Sequence, residues 1–390
     1  MQSLRNASTF RSAATVFSAA ALAVGLAACG SGSAAAGGGS GASTAKNPAD
    51  VTAPVEGTTA SLKSITQIPG CPTKKVTVAL ADGLGENSWR KITRAEFQEE
   101  ASKCPNITTI YTDAMNDPQK AISDINGLVA QGVNAIITFP DSGPALLPAI
   151  KAATHAGVFV VPYVAAVGGN PGADYVAQVG EDVVAEGETY AHWMAKALKG
   201  KGNVIMLGGS PGNSYSAAIY QGVKNVIGSM PGMKLLNSAP IVTNWDVGQT
   251  QQVVAGLLTK YPKIDGIISD YGGGSVGGIR AFIAAKRPLV PWATNDDNQF
   301  ACLWQQYHKL QPQFQIATVT SRNWMSRVAL RRAIAAVEGK PDPEPTKIEL
   351  PLFEDSIAGG KLAPRCNPSL PPDASLSSQL TTRQMAALFK

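Results

Sequence analysis

From Lys75 onward, short apolar runs alternate with helical stretches about every 25–30 residues, and no other feature limits the possible folds as tightly. The runs are Lys75–Ala81, Ile107–Thr112, Ala135–Phe139, Val158–Val161, Val204–Leu207, Lys234–Leu236, Ile264–Ile268, Leu289–Trp292 and Gln315–Val319. They are brief and almost continuously apolar, as expected of strands covered on both faces. Ser88–Ser102 reads as the helix after the first strand. Asp117-Pro118 opens the next, a cap followed by proline, with Ala121, Ile122, Ile125, Leu128 and Val129 as its apolar stripe before Gly132. This pattern predicts an α/β fold of parallel sheets between helices. One sheet of ten or more strands would be unusually wide. Two Rossmann-like lobes, each with its own parallel sheet and joined by hinges, are therefore expected. Parallel strands present their carboxyl ends to a crevice, and two facing crevices would enclose a ligand and close on it.

The N-terminus points out of the cell. Arg5 and Arg11 precede the uncharged run Ala13–Ala28, a secretory signal too short for a stop-transfer helix. Leu26-Ala27-Ala28-Cys29 resembles the lipobox of bacterial lipoproteins, which implies acylation of Cys29 and lipid anchoring at the outer face of the cell membrane. The alternative is an ordinary signal peptide with a cysteine near its cleavage site. Residues 29–70 read as the acylated cysteine and a flexible tether, because 30–60 is rich in Gly, Ala, Ser and Thr. The formal charge is +5, from 33 basic and 28 acidic residues. Loss of residues 1–28 removes two arginines and no acid, and the chain has no basic block, which excludes nucleic acid as a partner. No later apolar run reaches the roughly 18 residues that span a bilayer.

Four further cysteines remain: Cys71, Cys104, Cys302 and Cys366. An exported chain keeps disulfides, and four cysteines allow three connectivities. Sequence position favours Cys71–Cys104, since each lies just before a strand run and parallel neighbours bring those starts to one sheet edge. Cys302–Cys366 would then pin the C-terminal tail, 363–390, which reads as an irregular wrap. There is no CxxC and no Cys/His cluster, so no metal and no cofactor are expected.

Several motifs recur in one order. They are Glu86-Asn87-Ser88-Trp89-Arg90 after the first strand, Asn116-Asp117-Pro118, Phe139-Pro140-Asp141-Ser142, Gly209-Ser210-Pro211-Gly212-Asn213-Ser214, and Asn244-Trp245-Asp246. In this order, over roughly Lys75 to Asp355, the chain resembles the type I solute-binding proteins of the ribose- and galactose-binding kind, which deliver small ligands to ABC importers. The resemblance implies an N-terminal lobe of 71–178 plus 322–346 and a C-terminal lobe of 179–321 plus 347–362. It also implies a monomer that binds a small polar, sugar-like ligand and docks on an ABC permease. Carried over by position, the ligand-binding residues are Asn87, Trp89, Arg90, Asp141, Trp245, Asp270, Tyr271, Asn295, Ser321 and Arg322. The family's Asp-Arg pair aligns with Tyr163-Val164-Ala165, so Tyr163 stands where a charged contact is usual, and the arginine of the second-lobe helix falls near Ile219. Indole rings suit the C–H faces of a sugar, while Asn, Asp and Arg suit its hydroxyls. Arg90 also suits a carboxylate or phosphate, leaving an acidic ligand open. Packing in the core is the plain alternative for each Trp. We expect Trp89→Ala and Asn87→Ala to abolish ligand binding while leaving the unliganded melting temperature nearly unchanged.

Three other readings compete. A ligand sensor feeding a membrane receptor would use the same cleft. Gly273-Gly274-Ser275-Val276-Gly277 matches a nucleophile elbow between a strand and a helix over Gly278–Ala285, with Asp296 and His308 in hydrolase order. However, His308 falls on a predicted helix, and no HGGG-type segment is present. Gly83-Leu84-Gly85-Glu86-Asn87-Ser88 approaches a dinucleotide fingerprint but has Ser88 at its third glycine. His155 and His192 stand alone on helical stretches, and the Asn106-Ile107-Thr108 sequon has no expected use in a bacterial lipoprotein.

Overall fold

A computed structural model describes residues 55–85 and 87–390. The signal segment, Cys29 and Glu86 fall outside the described residues. After a short strand β1 (Glu56–Thr58), the chain builds β2 (Val76–Asp82), α1 (Ser88–Ser102), β3 (Ile107–Asp113), α2 (Pro118–Ala130), β4 (Ala135–Phe139), α3 (Leu147–His155) and β5 (Phe159–Pro162). These four longer strands form an all-parallel sheet in the order β3-β2-β4-β5. Successive residues of β2 face opposite ways. Val78 and Leu80 pack under α1, whereas Ala79 and Ala81 join Ile125, Leu128 and Ile150 of α2 and α3.

A second unit follows: α4 (Val183–Ala197), β6 (Gly202–Gly208), α5 (Ser214–Gly228), β7 (Met233–Leu235), β8 (Ile241–Val242), α6 (Val247–Lys260), β9 (Gly266–Ser269), α7 (Gly272–Ala284), β10 (Trp292–Asn295), α8 (Asn298–Tyr307) and β11 (Ile316–Val319). The chain then crosses back. Helix α9 (Met325–Glu338) packs on α1, β4 and β5 of the first sheet. After it come β12 (Lys347–Glu349), which pairs with β1, and β13 (Leu352–Asp355), which returns to the second sheet. That sheet runs β13-β11-β10-β9-β6-β7, with β8 also on β6, and β13 is its antiparallel member. The result is the two-sheet α/β architecture that the strand runs predict. Asn or Asp caps open α1, α2, α4, α5, α6 and α8, each accepting backbone N–H groups of the first turn.

Both expected disulfides are present, Cys71–Cys104 and Cys302–Cys366, with Cα atoms 5.2 and 4.6 Å apart. Four details depart from the sequence reading. Residues 55–70 are folded rather than tether: β1 is paired, and Ile65 is fully buried with its N–H on Glu100 Oε1 at 2.6 Å. The Leu289–Trp292 run contributes only Trp292 to β10, because Pro291 has no N–H for the ladder. The glycines at 272–274 and 277 belong to α7 rather than to a turn before it; a Cβ at Gly277 would overlap the Val247 carbonyl, so the bare flank lets α7 lie against α6. Finally, the tail carries a helix, α10 (Thr382–Ala387), opened by a Thr381/Gln384 capping box.

Candidate functional site

Between the two sheets lies a cavity of about 30 Å³, lined by Asn87, Trp89, Arg90, Phe139, Val164, Tyr215, Trp245, Asp270, Tyr271, Asn295 and Arg322. That is room for about two waters, well below the few hundred Å³ of an open small-molecule site. Asn87, Trp89 and Arg90 come from the loop and first turn after β2, Phe139 from the end of β4, Asp270 and Tyr271 from the end of β9, and Asn295 from the end of β10. Carboxyl ends of parallel strands thus supply the walls from both sides. The cleft is shut in this structure. Asn213 Nδ2 donates to the Asp141 carbonyl (3.1 Å), Ser210 Oγ to Asn116 Oδ1 (3.0 Å), and Ser214 Oγ to the Ala166 carbonyl (2.6 Å).

Aromatic rings dominate the walls. Trp89, Tyr163 and Trp245 each meet Phe139 edge-on, with ring centroids 5.6, 5.8 and 6.2 Å away. The guanidinium of Arg90 sits among them, 4.0 Å from the Phe139 centroid, 5.0 Å from Trp89 and 5.8 Å from Trp245. Both indole N–H groups are engaged within the protein. Trp89 Nε1 donates to the Ser321 carbonyl (2.6 Å) and Trp245 Nε1 to Asp270 Oδ1 (3.0 Å), which leaves ring surface for a ligand. Asn295 is also committed, accepting from Gly272 N (2.6 Å) and donating to the Asp270 carbonyl (3.0 Å).

Each arginine is matched by two carboxyl groups. Arg90 lies 2.6 Å from Asp141 and 3.2 Å from Asp82. Burial works against its charge, but Asp141 and Asp82 outweigh that and hold the guanidinium above its ordinary pKa. Burial also pushes the Asp141 carboxyl up to about 7, against the pull of Arg90. On the far wall Arg322 lies 3.1 Å from Glu181 and 2.9 Å from Glu186, and donates to Tyr215 Oη at 2.5 Å. Burial, helped by Glu186 and opposed by Arg322, raises Glu181 to about 8. Asp270 is raised to about 6 by burial, despite hydrogen bonds from Ser216 and Trp245.

Three lining residues hold left-handed backbone without being glycine: Val164 (φ 61°), Trp245 (φ 52°) and Arg322 (φ 53°). A β-branched residue is seldom found there, and each such position costs on the order of 1–3 kcal/mol. Gly209 is what lets Trp245 lie flat, because a Cβ at 209 would overlap the indole.

The structure brings Asn87, Trp89, Arg90, Trp245, Asp270, Tyr271, Asn295 and Arg322 to the cavity wall. It places the other three sequence candidates behind it. Asp141 sits beneath Arg90, Tyr163 is wholly buried behind Phe139, and Ser321 turns its carbonyl to Trp89 and its hydroxyl to Asp296. Phe139, Val164 and Tyr215 line the cavity although they stand outside the carried-over ligand set. Phe139 and Val164 lie inside segments quoted for the resemblance, Phe139-Pro140-Asp141-Ser142 and Tyr163-Val164-Ala165, and Tyr215 directly follows Asn213-Ser214.

No triad forms around Ser275. Its hydroxyl is buried inside α7, donating to the Tyr271 carbonyl (2.9 Å) and accepting from Trp292 Nε1 (3.0 Å). Asp296 is taken by Ser321, Ser375 and Ser377, while His308 stacks on Trp304. The glycine-rich loop after β2 serves close approach rather than a dinucleotide, since a Cβ at Gly83 would overlap the Asp141 carboxyl. Among the described residues, no cluster of His, Cys, Asp and Glu could hold a metal ion.

Residues 80–341 match the family model described as a periplasmic binding protein domain. The chain belongs to that family. Among curated relatives, the binding domain is 29% identical over 197 residues to the xylitol-binding protein of Mycolicibacterium smegmatis, covering 50% of this chain and 55% of that one. It is 27% identical over 164 residues to the galactofuranose-binding protein of Escherichia coli, covering 42% and 51%. The matched stretch thus spans about half of these two relatives. The solved arabinose-transporter binding protein of Shewanella sp. ANA-3, with bound L-arabinofuranose, superposes with a TM-score of 0.62 at 19% identity, over 70% of this chain and 89% of that one. That likeness shows the fold. All three are named as binding proteins.

Proposed function

We propose that this binding protein captures an uncharged polyol or furanose-sized sugar between its lobes and hands it intact to an ABC permease, while Cys29 anchors it by lipid outside the cell membrane. The lobes would be the segments 71–178 plus 322–346 and 179–321 plus 347–362. One observation carries the choice of an uncharged ligand: both cavity arginines are already paired with two carboxyls each. A sugar acid or phosphate would find no spare positive charge and would meet Asp270 as well. Ring faces and a few polar edges remain, which suits a molecule with C–H surface and a rim of hydroxyls. The xylitol, galactofuranose and arabinofuranose ligands of the relatives are of that kind.

The test is a thermal-shift panel of xylitol, arabinose, galactose, gluconate and galacturonate. A ligand at 100 times its dissociation constant stabilises by about 2.7 kcal/mol. Shifts confined to uncharged members are expected; shifts confined to the acids would overturn the proposal. Incorporation of labelled fatty acid into the full chain, lost in Cys29→Ser, tests the anchor.

A further inference from the structure

The tail beyond Cys366 touches both halves of the molecule. On the second-sheet side it is held covalently by Cys302–Cys366 on α8. The Asn298 side chain adds a second grip, donating to the carbonyls of Asn367 (2.9 Å) and Pro371 (3.1 Å), while Asn298 N donates to the Ala374 carbonyl (2.9 Å). The tail then meets Asp296, one residue past the cavity's Asn295. That carboxylate accepts Ser377 N (2.9 Å), Ser377 Oγ (2.5 Å) and Ser375 Oγ (3.1 Å), together with Ser321 N (2.6 Å) from the crossover. Next the chain passes to α1 on the first sheet, where Ser378 Oγ and Gln379 N donate to Glu96 Oε1 at 2.6 and 2.7 Å. It ends in α10, whose buried Met385 packs on Ile92 with Ala374, alongside Leu370, Leu380 and Leu388.

We infer that residues 364–390 are a strap that holds the two lobes near their closed arrangement and seats Trp89 before ligand arrives. This rests on the proposed reading of a cleft that opens and shuts. The two ends differ in kind. The anchor on α8 is a covalent bond, whereas the hold on α1 is a pair of hydrogen bonds and a small apolar cluster, so the α1 end is the one that lets go. The strap also reaches the site: Asp296 fixes Ser321, whose carbonyl fixes the Trp89 indole. A lobe pair that is mostly closed beforehand binds more tightly, because the apparent dissociation constant is the intrinsic one divided by the closed fraction.

The experiment uses the full chain with Met385→Asp, which removes the apolar hold on Ile92, and separately Ser378→Ala with Gln379→Pro, which removes both donors to Glu96. The second pair keeps the test alive should Met385→Asp unfold. Spin labels at Met115→Cys and Leu310→Cys, both exposed and on opposite lobes, report the interlobe distance without ligand. Wild type should give one narrow distribution, and the released variants a broader, displaced one that Met385→Leu restores to narrow. With xylitol as probe, the released variants should bind about tenfold more weakly if the closed fraction falls tenfold. A distance distribution unchanged in both released variants overturns the strap. Because that arm contains no ligand, its failure is separate from a failure of the sugar reading.

Discussion

Replacing Gly209 by alanine probes how Trp245 is seated. The new Cβ would overlap Cε2, Cζ2 and Cδ2 of the indole. An ordinary carbon–carbon contact is about 3.5–4.0 Å, so the ring must withdraw by more than about 1 Å. It has little room to do so, being 6% exposed and hydrogen-bonded to Asp270 at 3.0 Å. Overpacking of this kind costs about 1–3 kcal/mol of stability. Loss of the indole face from the cavity, with the Asp270 bond strained, removes a further ~1–3 kcal/mol of ligand affinity, roughly 5- to 150-fold. Calorimetry with xylitol as first probe, alongside tryptophan emission, reads both effects. Gly228→Ala is the control: it lies at the end of α5, where a Cβ meets nothing within 4 Å. If Gly209→Ala bound ligand like wild type with unaltered emission, Trp245 would not be a wall of the site.

Asn87→Ala should lose about 1 kcal/mol of unliganded stability together with binding, since Asn87 Oδ1 caps α1 by accepting Arg90 N at 2.9 Å; this corrects the expectation of an unchanged melting temperature, and Asn87→Ser, which keeps a capping oxygen, should separate the two losses. Stability should fall as pH rises from about 5 to 8. Glu181, Asp141 and Asp270 have folded-state values of about 8, 7 and 6, above the ordinary carboxyl range, so through that window the folded chain holds protons the unfolded chain has released, with a slope of up to about 1.4 kcal/mol per pH unit per group. Melting temperatures at each pH check this; Glu181→Gln should flatten the upper part, and a rise towards pH 8 would refute it. Gly127→Ala in α2 and Gly256→Ala in α6 should each add about 0.5–1 kcal/mol and sum, because a Cβ at either meets nothing within 4 Å and the sites lie in different halves of the molecule; urea midpoints of the double variant decide it.

The strands were legible because they are covered on both faces. Ala135–Phe139 reads as one apolar block, and β4 is buried along its whole length. Caps such as Asp117 were legible because their chemistry is local. What escaped depends on contacts distant in sequence. Arg327, Arg331 and Arg332 would pass for a solvated helix face, yet Glu96, Glu99, Glu100, Asp342 and Glu344 bury them in α9. Ile65 looks like a stray apolar residue in a tether until Glu100 meets its N–H. At the site, residues aligned by position arrived together, but Asp141, Tyr163 and Ser321 stand one layer back. Alignment gives a residue's place on a strand end, whereas the size of Arg90 and Phe139 decides who reaches the cavity.

The twisted backbone at Val164, Trp245 and Arg322 has a corollary for stability. Glycine at 245 or 322 would ease the turn but leave a void in place of a buried indole, or leave Glu181 and Glu186 without their cation, a loss of about 3–5 kcal/mol that outweighs the strain relieved. The awkward turns are therefore clamped by their own cargo of atoms: ring and guanidinium, wedged into the wall, hold the peptide in a shape it would otherwise abandon.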